Sequence, residues 1–379
     1  MDSATSNGQS KKISQRIRTQ PFFPAEGEHS FYATLKERVK PLFVTHGENV
    51  RRNTLFKVIT YPTLYLLAYV GLLICGRQLI WLYMFYITLG LLVTLNIFNI
   101  IHDAVHHALF EQERKNALAS YLLDMMGGNS FVWKIRHVIY HHTFTNIPGW
   151  DIDIQQTGLV RFIPSSTYHW IHKIQWVYMP FLYLFYTLNL VLVRDFKDFF
   201  KRLSLVKNKT RIPTKEYVKL FAFKATYFSY ILALPFFILQ VQWFHIVIGF
   251  LVMHAVTSSL TLLILLPSHL DEHAHFPNPG NDLQMENSWA IHQLMVTNDF
   301  GTNSAILNFI MGGLNHHIAH HLFPNVNHNM IPLITEHIRK LAGEIRLPYN
   351  NYTLWGIMTS HFRLLKKNGH RPGYFEDVI

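Results

Sequence analysis

Apolar and polar positions along this chain fall into long blocks rather than alternating. Four apolar runs, roughly 58–75, 79–101, 218–240 and 243–267, are near the length of about 20 residues that a helix needs to cross a bilayer. The links 76–78 and 241–242 leave room only for tight turns, so the pattern predicts two helical hairpins. Lys219 and Lys224 open the third run, and their aliphatic stems allow them to snorkel toward the interface. A fifth run, 174–193, contains Pro180, follows Lys173 and precedes Arg194, Lys197, Lys201 and Arg202. Positive charge at both ends predicts a helix lying in the interface rather than across the bilayer. Residues 1–20 are polar and predicted to be disordered, and 21–54 read as an amphipathic surface segment ending in Arg51-Arg52. No apolar stretch follows the charged N-terminus (Lys11, Lys12, Arg16, Arg18), so no cleavable signal peptide is expected.

Composition agrees with a membrane setting. Hydrophobic residues make up 49% of the 379 residues and charged residues only 15%, well under the quarter usual in soluble domains. The net charge of +11 raises the question of nucleic acid. The Lys and Arg lie between apolar runs rather than on one aromatic-laced patch, which points to anionic lipid and away from nucleic acid. The predicted turns carry only Arg77, whereas the N-terminal segment, 102–217 and the C-terminal region hold nearly all the basic residues. The positive-inside rule therefore places those regions, and both termini, on the cytoplasmic side. The single cysteine, Cys75, excludes an intrachain disulfide, an iron–sulfur cluster and a thiolate zinc site. Any metal must be held by N and O ligands.

Three histidine clusters carry the candidate chemistry: His102 and His106; His137, His141 and His142; His317, His320 and His321. Residues at i, i+3 and i+4 share a helix face, so each cluster can aim imidazoles at one point. One such pair at a membrane surface is more often solvated than metal-bound. Three clusters on one predicted side of the bilayer point instead to a shared site. The second and third clusters can meet only if an even number of crossings separates them, which also argues against a lone crossing at 174–193. Eight imidazoles exceed what one zinc ion takes and suit two metal ions of four or five ligands each, iron before zinc. Asp103 is placed to fix the tautomer of a ligand histidine. His107 points about 100° away from His106 by helix geometry and is not expected to ligate. Pro324 is expected to end the third-cluster helix. His254, in mid-span, is expected to bond a neighbouring helix, and His273, His275 and His328 read as surface residues.

The motifs resemble the three histidine boxes of the membrane fatty acid desaturase family. His102-Asp103-x-x-His106 is similar to the first box. Trp133-Lys134-x-x-His137-x-x-x-His141-His142-Thr143-x-Thr145-Asn146 is similar to the second box of bacterial acyl desaturases. Gly312-Gly313-Leu314-Asn315-His316-His317-Ile318-Ala319-His320-His321-Leu322-Phe323-Pro324 resembles the third box of the front-end branch. The likeness runs from about Phe31 to Lys366. It departs from the front-end pattern at His317 and Ala319, where Gln and Glu are usual, and at His316, where an aromatic is usual and which is read as a non-ligand.

The resemblance implies an all-α integral membrane protein with four transmembrane helices in two hairpins and a cytoplasmic helical cap holding a diiron site, with 21–379 as one desaturase domain. It implies an O2-dependent oxidoreductase that inserts a cis double bond into the acyl chain of a lipid or acyl thioester. Two iron ions would be held by His102, His106, His137, His141, His142, His317, His320, His321 and a ninth histidine. His269 fits the ninth position best, with His292 as its competitor. Trp133, Tyr140 and Trp150 are candidates for the substrate entrance or for interface anchoring. The His-Pro-Gly-Gly motif of a fused haem domain does not occur, so the expected electron donor is a separate ferredoxin or b-type cytochrome. The alternative reading is a related diiron hydroxylase or ketolase of lipids or carotenoids.

Overall fold

The computed structural model describes residues 20–154, 158–201, 206 and 210–371. The expected disordered segment 1–20 lies outside the described residues except for its last position. Four helices are long and apolar enough to cross a membrane: α1 (Phe31–Cys75), α2 (Leu79–Val105), α7 (Thr214–Leu239) and α8 (Trp243–Leu265). Between and after them lie α3 (Glu113–Met125), α4 (130–144), α5 (Trp170–Tyr183), α6 (Tyr186–Phe200), α9 (Trp289–Val296), α10 (Ala305–Ile310), α11 (His317–Leu322), α12 (Ile331–Glu344) and α13 (Leu354–Lys367). Two short strands, β1 (Asp299–Phe300) and β2 (Asn351–Tyr352), pair in parallel and tie the C-terminal helices together.

The four long helices are where hydropathy places them, with two differences in extent. The expected surface segment 21–54 is not separate: from residue 31 it is the first half of α1, started by Ser30, whose hydroxyl accepts from the Ala33 N–H at 3.2 Å. The second apolar run does not stop at 101 but continues as helix through the first histidine cluster to Val105. α2 is the central element of the bundle, packed against both α1 and α8. Gly90 allows the α2–α8 approach: a Cβ there would lie 2.6 Å from the Met253 carbonyl oxygen. The Thr257 hydroxyl donates to the Gly90 carbonyl at 3.0 Å across the same contact. Small residues and side-chain hydroxyls are the usual means of close helix packing where water supplies no driving force. Ile74, Ile80, Leu67 and Phe237 point outward and are exposed, as lipid-facing positions should be.

The run expected as one interfacial helix over 174–193 is instead two helices, α5 and α6, bent by 74°. Thr187, at the bend, donates its N–H to Ser258 Oγ at 3.0 Å and bonds His254 Nδ1 through its hydroxyl at 2.9 Å, halfway along α8. Hydropathy alone saw one apolar segment. The polar groups at its elbow, bonding into a neighbouring helix, break it in two. Lys224 also departs from expectation: it does not snorkel but is buried, donating to Asp195 Oδ2 at 2.7 Å and to the carbonyls of Gly127 and Val191.

Candidate metal centre

Three local devices position the imidazoles. In α2 a π-helical turn, Ile97–Ile101, widens the helix just before His102, and such turns recur at functional sites. In α4 the Asn129 side chain caps the start and a second π-helical turn, Ile135–His141, spans two of the cluster histidines. Before α11, Gly312 adopts φ +57, and a Cβ on it would lie 2.4 Å from the Phe98 carbonyl oxygen. Only glycine allows that chain to cross α2 so closely and deliver His317 to the site.

The imidazoles form two buried groups. Donor atoms of His102, His106, His137 and His320 lie within 4.8 Å of one another, and so do those of His141, His269, His317 and His321. His142 joins the first group, with its Nε2 3.0 Å from that of His320 and 3.4 Å from that of His137. Each sequence cluster was expected to aim at one point; only the first does. The second and third clusters divide, His137, His142 and His320 going to one group and His141, His317 and His321 to the other. The π-helical turn in α4 and the contact of His320 with His142 accompany this sharing, and neither is visible in residue spacing.

Hydrogen bonds reveal which nitrogens are free. His269 Nδ1 donates to the Val296 carbonyl (3.2 Å) and His317 Nδ1 to the Leu314 carbonyl (3.0 Å). Both Nε2 atoms of these neutral rings are therefore bare lone pairs, yet they stand 2.8 Å apart. His141, whose Nδ1 donates to Asp151 at 3.0 Å, brings its Nε2 within 3.2 Å of His269 Nε2. His137, with Nδ1 on Asp153 at 3.2 Å, brings its Nε2 within 3.2 Å of that of His102. Converging lone pairs repel unless a cation lies between them. His106 has both ring nitrogens buried without a hydrogen-bond partner, and the Nε2 of His321 is likewise buried and unpartnered. The donor set fits two metal ions of the kind imidazole prefers, iron included.

Electrostatics keeps the ligands in binding form. Burial, with repulsion from neighbouring histidines, pushes His106, His142, His269, His317, His320 and His321 well below the ordinary imidazole range. Burial and His102 push His137 to about 4 despite its bond to Asp153. Neutral imidazole is the ligating state. His141 is the exception: burial opposes its cation, but the Asp151 carboxylate outweighs burial and raises it. Burial likewise opposes ionisation of Asp153, and the hydrogen bond from His137 with the Arg136 guanidinium 3.0 Å away holds it well below the carboxylate range.

Several supporting residues escaped the sequence reading. Gln293 accepts from His321 Nδ1 at 2.9 Å and from the Thr145 hydroxyl at 2.9 Å, and it donates to the His142 carbonyl. Asp151 and Asp153 sit ten and sixteen residues beyond the histidines they hold. An Asp-x-Asp after a histidine box was the available signal. His292 is not in either group; its Nε2 bonds the Thr145 carbonyl at 2.8 Å. His316 is buried between Thr335 and Asn308. His107 is outside both groups and bonds Lys134. His273 and His275 are exposed as expected, but His328 is buried. It occupies Asp103, which bonds its Nδ1 at 2.8 Å and its backbone N–H at 2.9 Å, leaving the other carboxylate oxygen 3.7 Å from His102 Nδ1. Tyr140 is buried, and Trp150 is half-buried and packs on Phe144.

Trp133 does line a cavity. Its ring stacks on His137 at 5.4 Å between centroids, and it forms one wall of an apolar space of about 70 Å³. The lining runs from Trp133, Ile97 and Leu265 to Met253, His254 and Tyr227. Along α8 the 12 residues between Leu265 and Met253 correspond to roughly 18 Å at the helical rise. His254 is bonded to Tyr227 OH at 2.9 Å as well as to Thr187, so it holds α7, α8 and the α5–α6 bend together, as a mid-span histidine was expected to do.

Residues 78–353 match a family model described as fatty acid desaturase. The chain is 31% identical over 308 residues to an "sn-1 linoleoyl-lipid 6-desaturase" of Arthrospira platensis, covering 78% of this chain and 81% of that protein. It is 29% identical over 364 residues to a protein of the same name from a Synechocystis strain, covering 90% and 96%. An "Acyl-lipid (8-3)-desaturase" of Physcomitrium patens is 28% identical over 367 residues, covering 93% and 74%.

Proposed function

Because the chain belongs to the fatty acid desaturase family, we propose that it is an O2-dependent acyl-lipid desaturase that inserts a cis double bond into a membrane lipid's acyl chain. The observation that carries the reading is the pair of imidazole groups with bare, facing Nε2 atoms. His102, His106, His137, His142 and His320 would hold one iron ion, and His141, His269, His317 and His321 the other. Iron bound there supplies the O2 activation that breaking an unactivated C–H bond requires and that no side chain provides. The relatives' names, which specify lipid-linked acyl groups, favour a lipid over an acyl thioester as substrate.

The chain's own residues supply three things. Asp151, Asp153, Gln293 and the carbonyls of Leu314 and Val296 fix the rings of His141, His137, His321, His317 and His269, so those five need not reorganise when metal binds. Burial of every ligand histidine excludes bulk water from the site. The apolar cavity beside Trp133 takes the reacting part of the acyl chain and sets two adjacent methylenes against the first group. Four electrons reduce O2 to water: two leave with the two hydrogens of the acyl chain, and two come from a separate ferredoxin or b-type cytochrome. The site and both termini face the cytoplasm, with anionic lipids around the basic flanks.

Expression in a host with a simple fatty acid profile tests this. The expected product is a membrane lipid two mass units lighter, with a new double bond located by mass spectrometry, and purified protein carrying two iron ions. A product one oxygen heavier would overturn desaturation in favour of hydroxylation, and an active preparation holding zinc and no iron would overturn the metal assignment.

A further inference from the structure

A buried row of polar groups leads to His102. Lys57, on α1, is buried and donates through Nζ to His328 Nε2 at 2.8 Å and to Asn99 Oδ1 at 2.8 Å. His328 donates its Nδ1–H to Asp103 Oδ2 at 2.8 Å. The remaining Asp103 oxygen lies 3.7 Å from His102 Nδ1, which has no other partner. Every donor and acceptor in this row is matched in sense: an ammonium, a neutral imidazole bridging it, then a carboxylate. Lys57, Asp103 and His328 are each under 5% exposed, so no solvent screens them.

A lysine with its ammonium inside an apolar bundle is costly unless paired, and among the described residues Lys57 makes no direct contact with a carboxylate. Its counter-charge is Asp103, one imidazole away. Folding therefore places a cation in a position where it acts on a ligand histidine through two intermediates. His328 sits on the chain following α11, and its carbonyl packs against Gly313, so the third box and the first box are clamped by the same group. The outer end of the row is also built: Thr54, one turn from Lys57, bonds Asn327 Oδ1 at 3.1 Å and accepts from Asn329 at 3.1 Å.

We propose that Lys57 and His328 are positioning residues that set, through Asp103, how strongly His102 donates to the metal of the first group. This rests on the reading of the site as an iron centre. The carboxylate strengthens His102 as a donor, and the Lys57 cation tempers the carboxylate. Outer partners of this sort alter metal affinity or activity by roughly 10–100-fold when removed.

The test uses the full-length protein in detergent or nanodiscs, loaded with iron, and reads the reduction potential and Mössbauer parameters alongside iron per chain. Lys57→Met should lower the potential, because a positive charge near the metal is lost. Asp103→Asn should raise it. Lys57→Arg should restore the wild-type value, and His328→Gln should shift it in the direction of Lys57→Met by uncoupling the cation. The opposed signs are what a merely structural role would not produce. Shifts of one sign in Lys57→Met and Asp103→Asn, or unchanged potentials with two irons retained, would overturn the proposal alone. A wild-type protein that binds no iron would overturn the metal reading and the proposal together. Should Lys57→Met fail to fold, Asp103→Asn and His328→Gln still give the opposed pair.

Discussion

The two imidazole groups are built differently. In the second, every Nδ1 is held: His141 by Asp151, His269 by Val296, His317 by Leu314 and His321 by Gln293. In the first, His137 is held by Asp153, but the Nδ1 atoms of His102, His106 and His142 are buried without a hydrogen-bond partner. A ring fixed at Nδ1 presents Nε2 in one direction, whereas an unfixed ring must be ordered by the metal itself. The second group is thus preorganised and the first adaptable. The first also faces the apolar cavity, through Trp133 stacked on His137. The difference assigns rigidity to one group and responsiveness to the other.

The largest effect expected is loss of product when a ligand is removed. His141→Ala should reduce desaturated lipid to background while membrane insertion is retained; turnover in that variant would break the two-group scheme. Next, Asp151→Asn should weaken metal at the second group by roughly 10–100-fold, and Asp153→Asn at the first. Iron counting in both variants checks whether each anchor serves its own group, and loss of both irons from either would merge the two. A chelator titration of the wild type should be biphasic, with the first group emptied before the second; a single phase would cancel the contrast in anchoring. Trp133→Ala should leave iron in place and lower kcat/KM by roughly tenfold, or about 1.4 kcal/mol, by enlarging the cavity next to His137.

The smallest effect separates the metal groups from the other histidines. His361 donates from Nδ1 to the Leu270 carbonyl, but burial is the larger influence and pushes its imidazole to about 4. The folded state binds this proton less readily than the unfolded chain, whose histidine titrates near 6.5. The stabilisation is full above about 6.5 and is lost as pH falls toward 4. Acid melting of His361→Gln apoprotein should therefore be flatter than wild type over that window. An identical curve would place all of the acid sensitivity elsewhere, including in the two groups.

Helix location and the set of histidines that converge were both legible before the structure. All nine histidines named from the sequence lie in the two groups. His269 is among them and His292 is not, because His292 is committed to the Thr145 carbonyl. What was misread shares one cause. Flanking charge and Pro180 mark 174–193 as one interfacial helix, and neither registers Thr187 and its bonds to α8. His328 looked like a surface residue because its partners, Lys57 and Asp103, are 271 and 225 residues away. Lys224 was assigned to snorkelling because nothing near it in sequence announces Asp195 as a buried partner.

Chain order alone determined that this protein has four helices of membrane-crossing length and a set of imidazoles able to bind metal, since run length and local spacing are properties of one segment at a time. Tertiary structure alone decided how those imidazoles divide. Which Nε2 faces which depends on π-helical turns, on glycine allowing one chain to cross another, and on hydrogen bonds that fix each ring from behind. Those are relations between distant segments, and no local period encodes them.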